Sequence, residues 1–350
     1  MLKKEEILEI KEILEESQNP LFFFDNDADG LCSFLLLQRA IERGKGVAIK
    51  SFPALNASYL RKIDELNPDA VFILDKPSVE EEFLLGVLEK GIPVIWIDHH
   101  NIQLNKEINP EIIKKIKYYN SFPTSEPVTY ICYKISGKKD DEWIAMIGCV
   151  GDVYMPDFAK DYAEENPDFF NAKIPIFDAQ FKTKIGEITR ILNFGLKDTT
   201  TNVVQMLKFL TTARNINDLL EENYKTKQFH HRYNQLNRVY LGILKKAEEK
   251  SKKEKNQKLI FFTYKSEIAM SSEISNALLF MHPKKIILVG TEKQGRYLFS
   301  ARGENVRDIC LKAIEGIEGA SGGGHEKASG VQIPESKLEE FQKKLEELVR

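Results

Sequence analysis

Four short apolar segments alternate with helix-like stretches in the first hundred residues. Each segment is almost continuously hydrophobic and three of them end in aspartate, at 21–25 (LFFFD), 47–52 (VAIKSF), 71–75 (VFILD) and 94–98 (VIWID). Apolar strands that alternate with helices are typical of a parallel sheet covered on both faces. Because the carboxyl ends of parallel strands meet at one edge, the three terminal aspartates are expected to share one crevice.

The pattern changes twice in the rest of the chain. Residues 182–257 have helical periodicity and no strand-like run, and residues 245–258 hold seven lysines and three glutamates, as a solvated linker would. A second α/β pattern then follows, with expected strands at 258–264, 284–291 and 295–302 and an amphipathic helix at the end.

These patterns predict an α/β protein with a parallel-sheet domain and a smaller α/β domain, joined by a helical linker. We place the first domain at residues 1–222, helical in its last part, the charged linker at 223–258 and the second domain at 259–350. The first 17 residues alternate charged and apolar positions at helical spacing, which favours an amphipathic helix over a signal peptide.

Composition narrows the classes of function. Lysine and arginine number 50 against 53 aspartates and glutamates, a net charge of -3, so no broad basic surface is offered to duplex DNA or to an anionic membrane. The four cysteines are scattered without a C-x-x-C pair, as in reduced intracellular proteins. No apolar run reaches the roughly 18 to 20 residues of a membrane span. A cytoplasmic protein without a membrane partner is expected.

The first apolar segment ends in an acidic turn. Asp25, Asp27 and Asp29 alternate just before Gly30, and like charges so close repel one another and raise one another's pKa. A bound cation would remove that repulsion, although a solvated turn or a helix N-cap explains this segment alone equally well. An EF-hand is excluded because no glutamate stands at the twelfth position of such a loop.

Further carboxylates and imidazoles follow other apolar runs. Asp75 ends the third segment, Asp98, His99 and His100 end the fourth, and Asp152 follows a later apolar run. Oxygen-rich ligation with an imidazole suits Mn²⁺ or Mg²⁺ and favours Mn²⁺, while the lack of nearby cysteine argues against a structural zinc site.

A charge count favours two metals over one. Five aspartates, at positions 25, 27, 29, 75 and 152, carry a formal charge of -5, which two divalent cations nearly balance and one does not. Two metals about 3.5 to 4 Å apart commonly activate water and hold a phosphoryl group during in-line displacement.

In order and approximate spacing, these residues resemble the four motifs of the DHH phosphoesterase superfamily. The matching motifs are Asp25–Gly30, Asp75, Asp98-His99-His100 and Gly151-Asp152. The segments 299–303 (FSARG) and 322–330 (GGGHEKASG) are similar to the substrate-binding DHHA1 domain that accompanies them. Phe23 occupies the position where cyclic-dinucleotide enzymes usually carry histidine, and the D-x-D-x-D-G form resembles the RecJ single-strand exonucleases, especially the compact archaeal RecJ-like proteins.

The resemblance implies roles for individual residues. One metal would be held by Asp25, Asp27 and Asp75, and the other by Asp29, Asp75, His99 and Asp152, so that Asp75 bridges. Asp98 would orient an imidazole, and His100 would contact the scissile phosphate. In the second domain, phosphate would be bound by Arg302, Gly323, Gly324 and His325.

The function implied is that of an Mn²⁺-dependent hydrolase with two metals, Mg²⁺ being the alternative ion. It would be a phosphodiesterase that removes residues from an end of single-stranded DNA or RNA, threaded into a cleft between the domains. Two alternatives stay open: a hydrolase of very short oligonucleotides or nucleotide phosphates, and a non-catalytic replication or repair scaffold. Replication or repair proteins as partners and a homodimer also stay open, as do polarity and the choice between DNA and RNA.

Overall fold

The computed structural model describes residues 1–51, 54–101, 108–124, 126–252 and 256–349. The chain divides into two compact units, Met1–Tyr233 and Asn234–Arg350. Phe52 of the second predicted strand, residues 253–255 of the predicted linker and the last residue, 350, lie outside the described residues.

A five-stranded parallel sheet forms the centre of the first unit. Its strands are β1 (Pro20–Asp25), β2 (Lys45–Ile49), β3 (Ala70–Leu74), β4 (Val94–Asp98) and β5 (Lys117–Asn120). They are ordered β2-β1-β3-β4-β5. Phe24 pairs with Leu74 and Leu74 pairs with Ile97, so β1, β3 and β4 end level with one another. The predicted parallel sheet is confirmed, and the aspartates that follow its strands meet at one edge.

Thirteen α-helices begin within the first unit in the described part of the chain. They are α1 (Lys4–Glu16), α2 (Ala28–Ile41), α3 (Leu60–Leu66), α4 (Glu81–Leu88), α5 (Pro110–Ile113), α6 (Val128–Ser136), α7 (Glu142–Gly151), α8 (Ala159–Glu165), α9 (Ile176–Lys182), α10 (Lys184–Leu196), α11 (Thr200–Leu210), α12 (Asn217–Leu220) and α13 (Lys227–Ser251). The last of these continues into the second unit. The amphipathic first helix and the helical character after residue 182 agree with the sequence pattern.

Aromatic side chains of β1 show why its apolar run is continuous. The ring of Phe24 stacks on Phe34 of α2 with 5.2 Å between centroids, while Phe23 points to the opposite face and meets Phe83 of α4 edge-on at 5.3 Å. Phe23 and Phe24 are fully buried. Both faces of the strand are therefore covered, and alternation with polar residues is excluded.

Two features of the first unit differ from the sequence expectation. Strand β2 begins two residues earlier than expected and ends at Ile49, and the fifth strand, β5, was not predicted. Its sequence, KYYN, is short and half polar because β5 is an edge strand with a partner only on the β4 side. The apolar run before Asp152, for which no strand or helix was predicted, forms a helix, α7.

A smaller mixed sheet forms the second unit. Its elements are β6 (Leu259–Tyr264), α14 (Ser271–Met281), β7 (Ile286–Lys293), β8 (Arg296–Arg302), α15 (Val306–Ile314), β9 (Ser321–His325), β10 (Ala328–Pro334) and α16 (Leu338–Leu348). The order is β6-β7-β8-β10-β9, with β6 and β7 parallel and the other pairs antiparallel. The predicted second α/β domain is confirmed. In the described part of the chain, no helix combines the length and the apolar character that a membrane span requires.

Gly30 lets α2 start against the end of β1. A Cβ at Gly30 would lie 2.7 Å from the backbone nitrogen of Asp25 and closer still to its carbonyl oxygen. We expect Gly30→Ala to lower the free energy of unfolding by about 1–3 kcal/mol, the usual effect of overpacking. Thermal unfolding followed by circular dichroism measures this change.

Gly242→Ala is the matched control, because no heavy atom of the described residues lies within 4 Å of a Cβ at that position of α13. Alanine is the better helix former by about 1 kcal/mol, so this variant should be as stable as the wild type or more stable. Equal melting temperatures for Gly30→Ala and the wild type would show that the turn can move aside.

Candidate active site

The three carboxylates of the acidic turn after β1 lie in three different backbone environments. Asp25 ends the strand, and its Oδ1 accepts from the Asn26 amide at 3.0 Å. Asp27 is the N-cap of α2, where its Oδ1 accepts the amide of Gly30 at 3.0 Å. Asp29 lies inside the first turn of the helix. The N-cap that the sequence offered as a plain explanation is therefore real, and it fixes the direction of the turn.

Asp29 is held by the start of helix α6. Its two carboxylate oxygens accept the amides of Thr129 at 2.7 Å and Val128 at 3.0 Å, and the Thr129 hydroxyl donates to the Asp29 carbonyl at 2.9 Å. The first amides of a helix have no partner within the helix and carry partial positive charge. A carboxylate has about four lone-pair positions, so Asp29 can accept these bonds and also bind a cation.

Asp75 follows β3 in an unusual backbone conformation. Its φ is +56°, in the left-handed region, and its amide donates to the Ile97 carbonyl at 3.0 Å. The side chain is buried, and its Oδ1 has no hydrogen-bond partner in the described structure. Strained backbone and an unsatisfied buried oxygen at one residue are typical of a ligand site.

His99 lies at the centre of a cluster of carboxylates. Its Nε2 is 3.2 Å from Oδ1 of Asp75 and 3.8 Å from Oδ2 of Asp29, and its Nδ1 is 3.6 Å from Oδ2 of Asp152. Two groups have ligand atoms within 4.8 Å of one another: Asp29, His99 and Asp152, and Asp75, His99 and His100. Together with the unsatisfied oxygen of Asp75, these oxygen and nitrogen donors fit a divalent cation such as Mn²⁺ or Mg²⁺.

The end of α7 directs Asp152 into this cluster. The Val153 amide donates to Val150 and the Tyr154 amide to the Cys149 carbonyl at 2.8 Å, the Schellman arrangement that ends many helices. Glycine usually occupies the position of Val153, whose φ of +56° costs a β-branched residue about 1–2 kcal/mol. Gln180 donates to the carbonyls of Val150 and Gly151 and holds the same turn.

A second imidazole is oriented by a buried carboxylate. His100 Nδ1 lies 2.8 Å from Oδ1 of Asp98, which is fully buried at the end of β4. Asn120 of β5 donates to the His100 carbonyl at 3.0 Å and approaches Asp98. Although burial opposes the change, the hydrogen bond and charge of Asp98 raise the pKa of His100 to about 9. The same bond keeps the pKa of Asp98 below its ordinary value in spite of burial.

Carboxylate crowding shifts the other acids in the opposite direction. Loss of solvent around its carboxyl group, followed by the charges of Asp25 and Asp29, raises the pKa of Asp27 to about 7. Burial, and then repulsion from Asp152, raises the pKa of Asp29. Burial and the neighbouring carboxylates also raise the pKa of Asp75 well above its ordinary value. A divalent cation would reverse these shifts, because it favours the charged carboxylates.

Asp25 has an ion-pair partner that sequence reasoning missed. The ammonium of Lys76 lies 2.9 Å from Oδ1 of Asp25, and the lysine side chain is only 3% exposed. Within the described residues, neither Asp25 nor Asp27 belongs to a group of three close ligand atoms. The carboxylates implied for the first metal are therefore less tightly gathered than those around His99.

In the second unit, Arg302 at the end of β8 is held in place by α14. Its Nε donates to Oδ1 of Asn276 at 2.6 Å, and its Nη1 donates to the Ala301 carbonyl at 2.9 Å. Burial lowers the pKa of Arg302 to about 10, so the guanidinium remains charged at neutral pH. A partly buried guanidinium oriented by an amide is well suited to bind a phosphate.

The register of the second sheet brings Arg302 and His325 to one face. Ala328 of β10 pairs with Arg302 on one side and with His325 of β9 on the other, and directly opposite residues project to the same face. The glycines 322–324 form β9 itself instead of a loop. A Cβ at Gly324 would lie 2.5 Å from the Ala328 carbonyl oxygen, and its φ is +134°, so only glycine fits without strain.

Several residues of these sites were missed by sequence reasoning. They are Lys76, Asn120, Thr129, Gln180 and Asn276. A lysine directly after a strand-terminal aspartate was a usable signal for Lys76, and a Pro-Val-Thr helix start was one for Thr129. Asn120, Gln180 and Asn276 had no local signal, because each acts on a residue distant in sequence.

Comparisons with known proteins agree with this architecture. Residues 256–350 match the DHHA1 domain family. Over 99% of the chain, the structure superimposes on RecJ from Thermus thermophilus, in complex with Mn²⁺, with a TM-score of 0.68 at 14% identity, and covers 55% of that protein. The chain thus spans about half the length of that relative.

Two other solved structures cover this chain almost completely. An exonuclease RecJ bound to manganese matches 99% of this chain and 95% of its own, with TM-score 0.62 and 15% identity. CDC45 from Entamoeba histolytica matches 99% of both chains, with TM-score 0.52 and 11% identity. No curated protein sequence matches the chain significantly. Residues 256–350 therefore match the DHHA1 domain family, and the whole chain has the fold of the RecJ structures, which confirms the resemblance seen in the sequence.

Proposed function

We propose that this protein is a divalent-metal-dependent phosphodiesterase, preferring Mn²⁺, that hydrolyses single-stranded nucleic acid from an end. The observation that carries the proposal is the cluster around His99, where three carboxylates from separate elements approach one imidazole. Such a cluster is unfavourable without a cation, and its donor types match the metals of phosphoryl transfer.

The residues around the cluster would have different roles in the reaction. Divalent cations bound there would supply Lewis acidity toward a phosphate and toward water. His100 would contact a phosphate oxygen, and its hydrogen bond with Asp98 orients its ring. The amides of α6 hold Asp29 so that it presents its carboxylate in one direction.

The second unit would supply phosphate recognition. Arg302 and His325 project from one face of the DHHA1 sheet, and Asn276 orients the guanidinium. With a net charge of -3, binding would come from the metals and a few local cations. Few phosphates would be neutralised, which suits a single strand entering end first better than a duplex lying along a surface.

End-labelled DNA and RNA oligonucleotides of two to thirty nucleotides test the proposal. With Mn²⁺, we expect stepwise shortening from one end and blunt duplex cut at least about tenfold more slowly, because its terminal pair must open. Asp75→Asn should lower kcat/KM by about 100-fold or more. Asp64→Asn, at an exposed site paired with Lys90, is the control and should retain activity. Cleavage of a circular single strand would contradict the mechanism.

Metal binding should stabilise the protein more as pH rises. A free Mn²⁺ concentration of about 100 times Kd adds about 2.7 kcal/mol per site to the free energy of unfolding. The ligands must be deprotonated to bind, so the gain in melting temperature on adding Mn²⁺ should be larger at about pH 8 than at about pH 5. Scanning fluorimetry measures it, and an unchanged melting temperature at both pH values would contradict a metal site.

In the metal-free protein, the contribution of Asp27 to stability should decrease as pH rises. Its pKa is raised from 3.8 to about 7, so its stabilising contribution is present at low pH and is lost as pH rises toward 7. Asparagine keeps the N-cap and removes the charge. The melting temperature of metal-free Asp27→Asn should therefore rise relative to the wild type between about pH 5 and pH 8; a constant difference would contradict the assignment.

Arg302→Ala should weaken catalysis without weakening metal binding. Loss of a charge-assisted contact to phosphate predicts a decrease of about 2–4 kcal/mol in transition-state stabilisation, read from kcat/KM. Asn276→Ala removes only the orienting hydrogen bond, so its loss should be about three- to tenfold.

Arg296→Ala, at the opposite end of β8, where the guanidinium donates to the Gly319 carbonyl, is the matched control and should retain kcat/KM. If Arg302→Ala also retained it, Arg302 would have no role in binding the phosphate.

A further inference from the structure

Lys76 carries a positive charge into the candidate metal site. Its side chain is 3% exposed, and its Nζ lies 2.9 Å from Oδ1 of Asp25, whose side chain is 27% exposed. A lysine is almost never fully buried unless it is paired, because the ammonium loses its hydration. The contact with Asp25 is therefore needed to keep Lys76 in place.

The backbone around Lys76 is fixed on both sides. The indole Nε1 of the buried Trp96 donates to the Lys76 carbonyl at 3.0 Å. Asp75, immediately before it, is held in the left-handed conformation by its amide bond to Ile97. Lys76 thus lies in a turn that is fixed by hydrogen bonds, and this turn directs its side chain to Asp25.

The ion pair between Lys76 and Asp25 involves one of the two groups of predicted metal ligands and not the other. We call the group Asp29, Asp75, His99 and Asp152 the histidine position, and the group Asp25, Asp27 and Asp75 the first-motif position. Within the described residues, no lysine or arginine forms an ion pair with Asp29, Asp75 or Asp152. Lys76 occupies an oxygen of Asp25 and would repel a second cation that shares this carboxylate.

We propose that Lys76 is a built-in counter-ion of Asp25 that makes the two metal positions unequal. The histidine position binds a divalent cation tightly, and the first-motif position binds weakly because the ion must compete with the ammonium for Asp25. Lys76 is thereby a positioning residue that sets metal affinity. The inference rests on the proposed function, since it concerns the metals of that site.

Titration of the metal-free full chain with Mn²⁺ tests this inference, with calorimetry for the affinities and electron paramagnetic resonance for the number of bound ions. The wild type should bind two ions whose Kd values differ by about tenfold or more. Lys76→Met should tighten the weaker position by about tenfold or more and change the tighter one by less than about threefold. Lys76→Gln keeps the volume and a donor, and it replaces the methionine variant if that variant folds poorly. It should change the affinities in the same direction.

Two further variants isolate the cause. Lys90→Met removes a lysine that pairs with Asp64 at 2.7 Å on the surface, and it should leave both affinities unchanged. In an Asp25→Asn background, Lys76→Met should no longer tighten the weaker position, since the carboxylate for which the ammonium and the metal compete is gone.

The outcomes separate the two proposals. Absence of any bound Mn²⁺ would overturn the proposed function. Two bound ions of equal affinity in the wild type, or no change in both Lys76 variants, would overturn only the role of Lys76. A gain that persists in the Asp25→Asn background would overturn it as well, because it would show general repulsion instead of competition for Asp25.

Discussion

Mutual repulsion among the carboxylates at one edge of the parallel sheet is the constraint on which the site depends. Three of these acids accept from a close donor and two approach the ring of His99, and among these partners the Gly30 amide alone is close in sequence to its acid. The pairs are Asp25 with Lys76, Asp27 with the Gly30 amide, Asp29 with the amides of α6, and Asp75 and Asp152 with His99. The N-terminal ends of α2 and α6 and the C-terminal end of α7 lie at this edge.

Much of the fold could be predicted from the sequence because its signals are local. A strand such as β1, covered on both faces, must be apolar throughout, and the aspartate after it then marks the carboxyl edge of the sheet. Parallel pairing brings such ends together whatever their spacing in the chain. This geometry allowed Asp25, Asp75 and Asp98 to be expected in one crevice from the sequence alone.

The rest could not be predicted because it depends on contacts between distant segments. Whether Asp25 faces a metal or an ammonium depends on the turn after β3, 51 residues away. The edge strand β5 is recognisable only through its partner β4, and β9 is a strand of small residues whose glycines suggest a loop. Likewise, Asn276 is an ordinary polar residue of α14 until the register of β8 places Arg302 beside it.

The bonds from α6 to Asp29 join residues about 100 positions apart, and Asp152 arrives later still. Contacts of such long separation form late in folding, because loop-closure entropy must be overcome first. As the chain leaves the ribosome, the acidic turn is made long before the groups that hold it, and it must stay hydrated until α6 and α7 pack on the sheet. Binding of a divalent cation at the cluster around His99 would therefore require a first unit in which α6 and α7 have already packed on the sheet.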